Sequence, residues 1–277
     1  MPELPEVETV RRSLLPVVLG RPISKVEVLT ERIVQNRSIA EFQGLLTGAS
    51  FEDLHRRGKY LIFSVGEWEL VAHLRMTGRL IYYSSSTIPR AKHTSAVFSF
   101  HSGDELRFED VRKFGTLDLV PKGDYASIKG LHSLGVEPIS PEFTAELLWE
   151  LCRGRQAKIK ALLLDQTKIA GLGNIYADES LFAAGIHPER SSASLTEAEC
   201  HRLHRAIREV LEEAIAHQGT TFRDYRTGFG QEGAFQNRLQ IYGKKGEACP
   251  RCGVNLAHKK VAGRTSHFCP ACQREQP

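Results

Sequence analysis

Lys59-Tyr60-Leu61-Ile62-Phe63-Ser64-Val65 and Trp68-Glu69-Leu70-Val71-Ala72-His73-Leu74 are two short runs rich in β-branched and aromatic residues, separated by the turn residues Gly66-Glu67. Runs of this length, bounded in this way, predict strands. The same texture recurs at residues 23–29, 79–83, 96–100 and 116–120, with Ser102-Gly103-Asp104 as another turn. That many short strands at close spacing predict an antiparallel sandwich or barrel. One helix interrupts them, capped by Ser38 and running to about Leu46.

Outward from this region the period changes from two to 3.6. Upstream, Leu4, Val7, Val10, Leu14, Leu15 and Val18 form a helical stripe that stops at Gly20-Arg21-Pro22. Downstream of Pro121, Ser140-Pro141 reads as a cap with proline at the first helical position, leading a helix to Cys152. Helices are predicted at residues 156–165, 174–184 and 194–217. Residues 219–237 hold four glycines and little pattern, and a loop of that length is often functional. The expected division is 1–130, 131–237 including the 219–237 loop, and 238–277. The class is α+β.

Cys249-Pro250-Arg251-Cys252 and Cys269-Pro270-Ala271-Cys272 form a C-x2-C, sixteen-residue gap, C-x2-C array. Four thiolates at this spacing match a closed structural zinc site with no position left for water. Disulfides are the alternative, but nothing in the sequence marks a secreted protein. Cys152 and Cys200 lie in helix-like stretches and read as free thiols. The chain has 277 residues and a net charge of +4, too modest to identify a partner. Its distribution is more telling. From Arg238 onward eight Lys/Arg face two Asp/Glu, a surplus of six, while the remainder carries 29 against 31. A metal-stapled module with that skew suits phosphate contact, although four thiolates around one zinc ion offset part of it. No apolar run is long enough for a membrane span, and no signal peptide is evident, so a reduced cytoplasmic or nucleoid location is expected. No oligomerisation stripe stands out, and a monomer is expected.

The start, Met1-Pro2-Glu3-Leu4-Pro5-Glu6, carries its own chemistry. With Met1 trimmed, Pro2 would present a secondary amine. Attack of that amine on a sugar aldehyde gives an iminium whose positive charge cannot be lost by deprotonation, with Glu3 and Glu6 within one turn. Alternatively, Pro2 and Pro5 merely start a helix whose first-turn acids suit its dipole. Gly171-Leu172-Gly173-Asn174, before a helix, could bind an anion or be an ordinary turn. The turns after His73 and Asp110 offer large uncharged residues, Met76 and Phe114, which could wedge into a base stack or be core residues at strand ends. His73 by itself reads equally as a satisfied core histidine.

Taken together, Pro2-Glu3-Leu4-Pro5-Glu6-Val7-Glu8-Thr9, Arg57-Gly58-Lys59-Tyr60, His73-Leu74-Arg75-Met76, Arg112-Lys113-Phe114-Gly115, residues 171–179 and the four-cysteine tail closely resemble bacterial formamidopyrimidine-DNA glycosylase, in that family's order. The resemblance covers essentially the whole chain. It implies an N-terminal helix and antiparallel β-sandwich, a helix–two-turn–helix domain, and a β-hairpin zinc finger with one Zn2+ on Cys249, Cys252, Cys269 and Cys272. It further implies a DNA repair enzyme of the bacterial cytoplasm. Its partner would be duplex DNA with oxidised bases or abasic sites, lying in the cleft between the halves.

The resemblance also assigns roles. Pro2 would attack C1′, Glu3 would protonate the sugar ring oxygen and shuttle protons, and Glu6 would support the N-terminal geometry. Lys59, Asn174 and Arg264 would grip phosphates. Met76, Arg112 and Phe114 would enter the duplex, with Arg112 reading the orphaned cytosine and His73 in the same DNA-binding group. The 219–237 loop would close on the flipped base. Endonuclease VIII-type enzymes, which prefer oxidised pyrimidines, are the nearest rival, and Leu4 with the Arg112–Gly115 turn favours the purine branch. A silent damage-binding protein would be expected to lack Pro2, Glu3 or Lys59. A zinc-ribbon transcription factor would explain the tail but not the start.

Overall fold

The computed structural model describes residues 1–275. Its first compact unit comprises Met1–His132 and His217–Gln236. Helix α1 (Leu4–Val18) buries the predicted stripe, with Leu4, Val7, Val10, Leu14 and Val18 all inaccessible to solvent. Its first turn is closed by a capping box between Glu3 and Glu6, and Pro5 sits where a missing N–H costs nothing. There follow β1 (Ile23–Val28), α2 (Ile39–Leu46) and the strands β2 (Asp53–Arg57), β3 (Tyr60–Val65), β4 (Trp68–His73), β5 (Gly78–Tyr83), β6 (Thr94–Phe100), β7 (Glu105–Asp110) and β8 (Thr116–Pro121). A short helix, α3 (Lys129–His132), ends this part of the unit.

The strands form two four-stranded sheets, ordered β1-β6-β7-β5 and β2-β3-β4-β8, with every pair antiparallel. Their inner faces, α1 and α2 share one core. Phe51 lies at its centre, 4.8 Å from the Phe63 ring, 6.0 Å from Phe98 and 6.3 Å from Phe100. Burial of each such ring is worth about 1.5–3 kcal/mol. The outcome is a sandwich.

Two strands, β2 and β7, go unpredicted because both are rich in charge. On β7, Leu106 and Phe108 face the core while Glu105, Arg107 and Glu109 alternate with them and are also buried. Arg107 is fully buried. It donates to Glu105 at 2.7 Å and to the Ile88 and Pro89 carbonyls at 2.8 and 3.1 Å, and its guanidinium lies 4.1 Å from the Tyr83 ring centre. Loop carbonyls thus complete a site that sequence alone would leave in water.

Residues 217–236 also belong to this unit, whereas the expected division groups the 219–237 loop with the helices. Its backbone polar groups find partners here. Thr220 N–H donates to Glu6 at 2.8 Å, Gly228 N–H to Ser13 Oγ at 2.9 Å, and Tyr82 N–H to the Gly228 carbonyl at 2.8 Å.

The second unit comprises Ser133–Ala216 and the chain from Asn237. Its helices are α4 (Ala145–Cys152), α5 (Ile159–Leu164), α6 (Asn174–Ala184) and α7 (Glu197–Ala216). The first begins later than Ser140-Pro141 suggests, because Thr144 Oγ1 caps it by accepting from Leu147 N–H at 3.1 Å. Between α5 and α6 the chain makes successive hydrogen-bonded turns through Asp165 and Lys168, a helix–two-turn–helix arrangement. Nearly all of α6 is buried, as an element enclosed by its neighbours should be. A hairpin of β9 (Ala257–Val261) and β10 (Arg264–Phe268) completes the unit.

Candidate functional site

In the first unit, Pro2, Glu3 and Glu6 are buried at the head of α1, while Met1 remains 47% exposed. Glu6 uses both oxygens. One accepts the Glu3 N–H at 2.8 Å and the other the Thr220 N–H at 2.8 Å. The residue after Pro2 is therefore held by a carboxylate that also holds the 217–236 segment. Gly219 next to this contact has φ +76°, and a side chain there would meet Glu6 Oε1 at 2.7 Å. Only glycine fits both conditions.

Lys59 is buried and lies in the Gly58-Lys59 turn between β2 and β3, not within the strand that its apolar neighbours predict. Gly58 supplies the positive φ of +56° that this turn needs. His73 ends β4. Its Nδ1 accepts from the Arg75 N–H at 2.9 Å, and its ring meets the Tyr60 ring edge-on at 4.5 Å. Burial, aided by the Arg75 and Lys59 charges, pushes its pKa down to about 3. His73 is thus a neutral imidazole that shapes the following turn.

That turn carries Met76, 37% exposed, and the turn after β7 carries Arg112 and Phe114, the latter 49% exposed. Both apolar side chains point to solvent, against the reading that strand-end position makes them core. Arg75 and Lys113 each have φ +55°, so the chain reverses sharply beside each exposed residue. The Arg112 guanidinium stacks 4.7 Å from the Phe114 ring centre, and Arg32 donates to the Arg112 carbonyl at 2.9 Å. An apolar tip with a stacked cation suits base faces and edges.

In the second unit, Asn174 opens α6. Its Nδ2 donates to the Thr265 carbonyl at 2.9 Å and lies 3.3 Å from the Tyr242 hydroxyl, while its Oδ1 has no hydrogen-bond partner among the described residues. The glycine turn before it is braced by Gln166, whose side chain accepts from Gly171 N–H at 2.9 Å and donates to the Leu172 carbonyl at 2.7 Å. Arg264 is exposed at the start of β10, after the two-residue turn Ala262-Gly263, both with positive φ. Beneath it, fully buried Lys160 pairs with Asp178 at 2.5 Å and donates to Ser266 Oγ at 2.7 Å. Asp178 also accepts from the His267 N–H at 2.8 Å. Asn174 and Arg264 are thereby tied to one braced hairpin.

The four sulfurs of Cys249, Cys252, Cys269 and Cys272 lie within 4.8 Å of one another, with pairs at 3.5 and 4.0 Å. Tetrahedral zinc with Zn–S bonds of 2.3 Å separates sulfurs by about 3.8 Å, so the set fits one structural ion. The Arg251 and Cys272 N–H groups point at sulfurs from 3.4 Å, as thiolates require. Sequence reasoning overlooks Asp110, Gln166, Lys160 and Asp178, none of which reaches solvent chemistry directly. For Lys160 and Asp178 the available signal is a polar residue within an otherwise apolar helix, whereas Asp110 at a strand end and Gln166 in a turn lack even that.

Three family models match the chain in order. The formamidopyrimidine-DNA glycosylase N-terminal domain matches residues 1–117, the formamidopyrimidine-DNA glycosylase H2TH domain 134–226, and a zinc finger found in FPG and IleRS 246–274. A formamidopyrimidine-DNA glycosylase of Symbiobacterium thermophilum is 52% identical over 273 residues, covering 99% of this chain and 89% of that protein. A mutant Lactococcus lactis FPG in complex with Fapy-dG containing DNA superposes with TM-score 0.92 at 42% identity, covering 99% of this chain and all of that one. Wild-type Lactococcus lactis FPG with an oxidised pyrimidine containing DNA gives TM-score 0.90 at 42% identity, with coverage of 99% and 100%. Among the described residues, no helix is long and apolar enough to cross a membrane.

Proposed function

The chain belongs to the formamidopyrimidine-DNA glycosylase family, and from that membership we propose how its own residues carry the reaction. It is a DNA repair glycosylase with abasic-site lyase activity, and its substrates are oxidised purines, 8-oxoguanine and formamidopyrimidines, in duplex DNA. It works as a monomer in the bacterial cytoplasm, on the nucleoid.

Removal of Met1 leaves Pro2 as a secondary amine. Its nitrogen attacks C1′, the bond from C1′ to the damaged base breaks, and Glu3 gives a proton to the ring oxygen as the sugar opens. The resulting iminium withdraws electrons from C2′, so the now ionised Glu3 takes a C2′ proton. The C–H pair forms a carbon–carbon double bond, and the C3′–O bond breaks with the phosphate leaving on its electron pair. A second elimination releases the 5′ phosphate. Glu3 therefore holds a proton at one step and lacks it at another. Lys59, Asn174 and Arg264 hold phosphates, and Met76, Arg112 and Phe114 fill the space the flipped nucleotide vacates.

The observation that carries this reading is the Glu6 carboxylate bonded to both Glu3 and Thr220, which fixes the backbone beside the Pro2 nitrogen. Fixing a nucleophile in this way removes much of the entropic barrier to attack. The test is borohydride trapping on a duplex with 8-oxoguanine opposite cytosine, followed by peptide mapping, with Pro2→Gly in parallel. A cross-link at Pro2 and loss of nicking in the variant are expected. Full excision and nicking by Pro2→Gly, or an adduct elsewhere, would overturn the assignment. Thymine glycol is the comparison substrate, since one similar protein has been captured with an oxidised pyrimidine.

A further inference from the structure

We propose that Thr77 and Asp110 form a brace that couples the Met76 turn to the Arg112–Phe114 turn, so that both enter DNA as one rigid probe. The inference rests on the reading of these turns as the elements that enter the duplex. Asp110 ends β7 and pairs in register with Gly78 at the start of β5. Its carboxylate is buried, 1% exposed, and a buried charge is tolerated only when donors surround it. Three donors do so. Thr77 Oγ donates to Asp110 Oδ1, Arg112 N–H donates to the same oxygen at 3.1 Å, and Gly115 N–H donates to Oδ2 at 2.7 Å. Thr77 Oγ in turn accepts from Arg112 N–H at 3.1 Å.

One carboxylate therefore gathers the root of the second turn from both sides, at Arg112 and at Gly115, and binds the residue after Met76 as well. Gly115 has no room for a side chain, because a Cβ would lie 2.5 Å from the Phe108 ring. The chain returns to the core at that point, so only the tip bearing Arg112 and Phe114 projects. Charge-assisted bonds in a buried site are directional and cooperative. Displacement of either tip would strain the same bonds. Thr77 and Asp110 touch neither base nor sugar in this scheme. They are positioning residues.

The test uses full-length, zinc-loaded protein and a duplex with 2-aminopurine beside a tetrahydrofuran abasic analogue opposite cytosine. Insertion unstacks the 2-aminopurine and raises its fluorescence. Met76→Ala, Phe114→Ala and their combination are measured with Thr77 intact and again in Thr77→Val, which keeps the shape and removes the hydroxyl. With Thr77 the two losses are expected to be non-additive, and in Thr77→Val additive. Excision of 8-oxoguanine by Thr77→Val is expected to fall about tenfold in kcat/KM, with Thr77→Ser restoring most of it.

Equal non-additivity with and without the hydroxyl would overturn the brace, as would additive losses in the intact protein. A fall in Thr77→Val that Thr77→Ser does not rescue would also overturn it. If Met76→Ala and Phe114→Ala each leave the fluorescence unchanged, the duplex-entering role of the turns fails, and the brace fails with it. Should Thr77→Val melt too low to assay, Thr77→Ala carries the same comparison.

Discussion

Replacing Glu8 by Gln should cost the protein about 2–3 kcal/mol at neutral pH and much less in acid. Glu8 lies on α1, 5% exposed, and both its oxygens are engaged. Arg11 donates at 2.8 and 3.0 Å, Arg12 at 2.7 Å, and Arg56 from β2 at 3.2 Å. Burial works to raise its pKa, but hydrogen bonds from Arg11 and Arg12, with the Arg11 and Arg56 charges, outweigh it. The carboxyl is pulled from 4.5 to about 2. At about 1.36 kcal/mol per pH unit, that difference corresponds to roughly 3 kcal/mol, reduced somewhat because Arg12 lies largely in solvent. The sign follows from proton binding. Between pH 2 and 4.5 the unfolded chain takes up a proton that the folded one refuses. The stabilisation is therefore complete above about pH 4.5 and disappears as pH falls toward 2. Urea unfolding would be followed by the fluorescence of Trp68, which lies in the same unit as Glu8, in a Trp149→Phe background. The Glu8→Gln penalty should be flat from pH 8 to about 5.5 and should shrink by pH 3.5. A penalty below about 0.5 kcal/mol at pH 7, or one that does not change with pH, would refute this account of the arginine cluster.

Asp118 presents the opposite sign. Burial pushes its carboxyl up to about 6, with Arg75 opposing in part, so its contribution to stability is present below about pH 3.8 and is lost as pH rises through 6. Asp118→Asn should stabilise the protein by about 1–3 kcal/mol at pH 7.5 and by little at pH 4, which paired melting curves would reveal. Equal melting temperatures at pH 7.5 would contradict it. Chelation of the zinc, or Cys272→Ser, should release one ion per chain to a colorimetric dye and abolish duplex binding, because the β9–β10 hairpin loses its closure. Duplex affinity that survives metal loss would separate the hairpin from DNA contact.

The α1 stripe, the six predicted strands and the four-cysteine spacing are legible in the linear chain because each depends on residues a few positions apart. Helical and strand periods and metal-ligand spacings are local properties, and the burial of Val7, Phe63 and Leu70 follows from them. The remainder depends on partners far along the chain. Strand β7 reads as polar until Tyr83, Ile88 and Pro89 surround Arg107 and Glu109. The 217–236 segment carries no periodic signal, and its place in the first unit rests on backbone bonds to Glu6 and Ser13, more than two hundred residues away. Asp110 looks like any turn residue until Thr77, thirty-three positions earlier, arrives beside it. Such groups are satisfied by three-dimensional proximity, and a buried charge is tolerable only after the chain has closed around it.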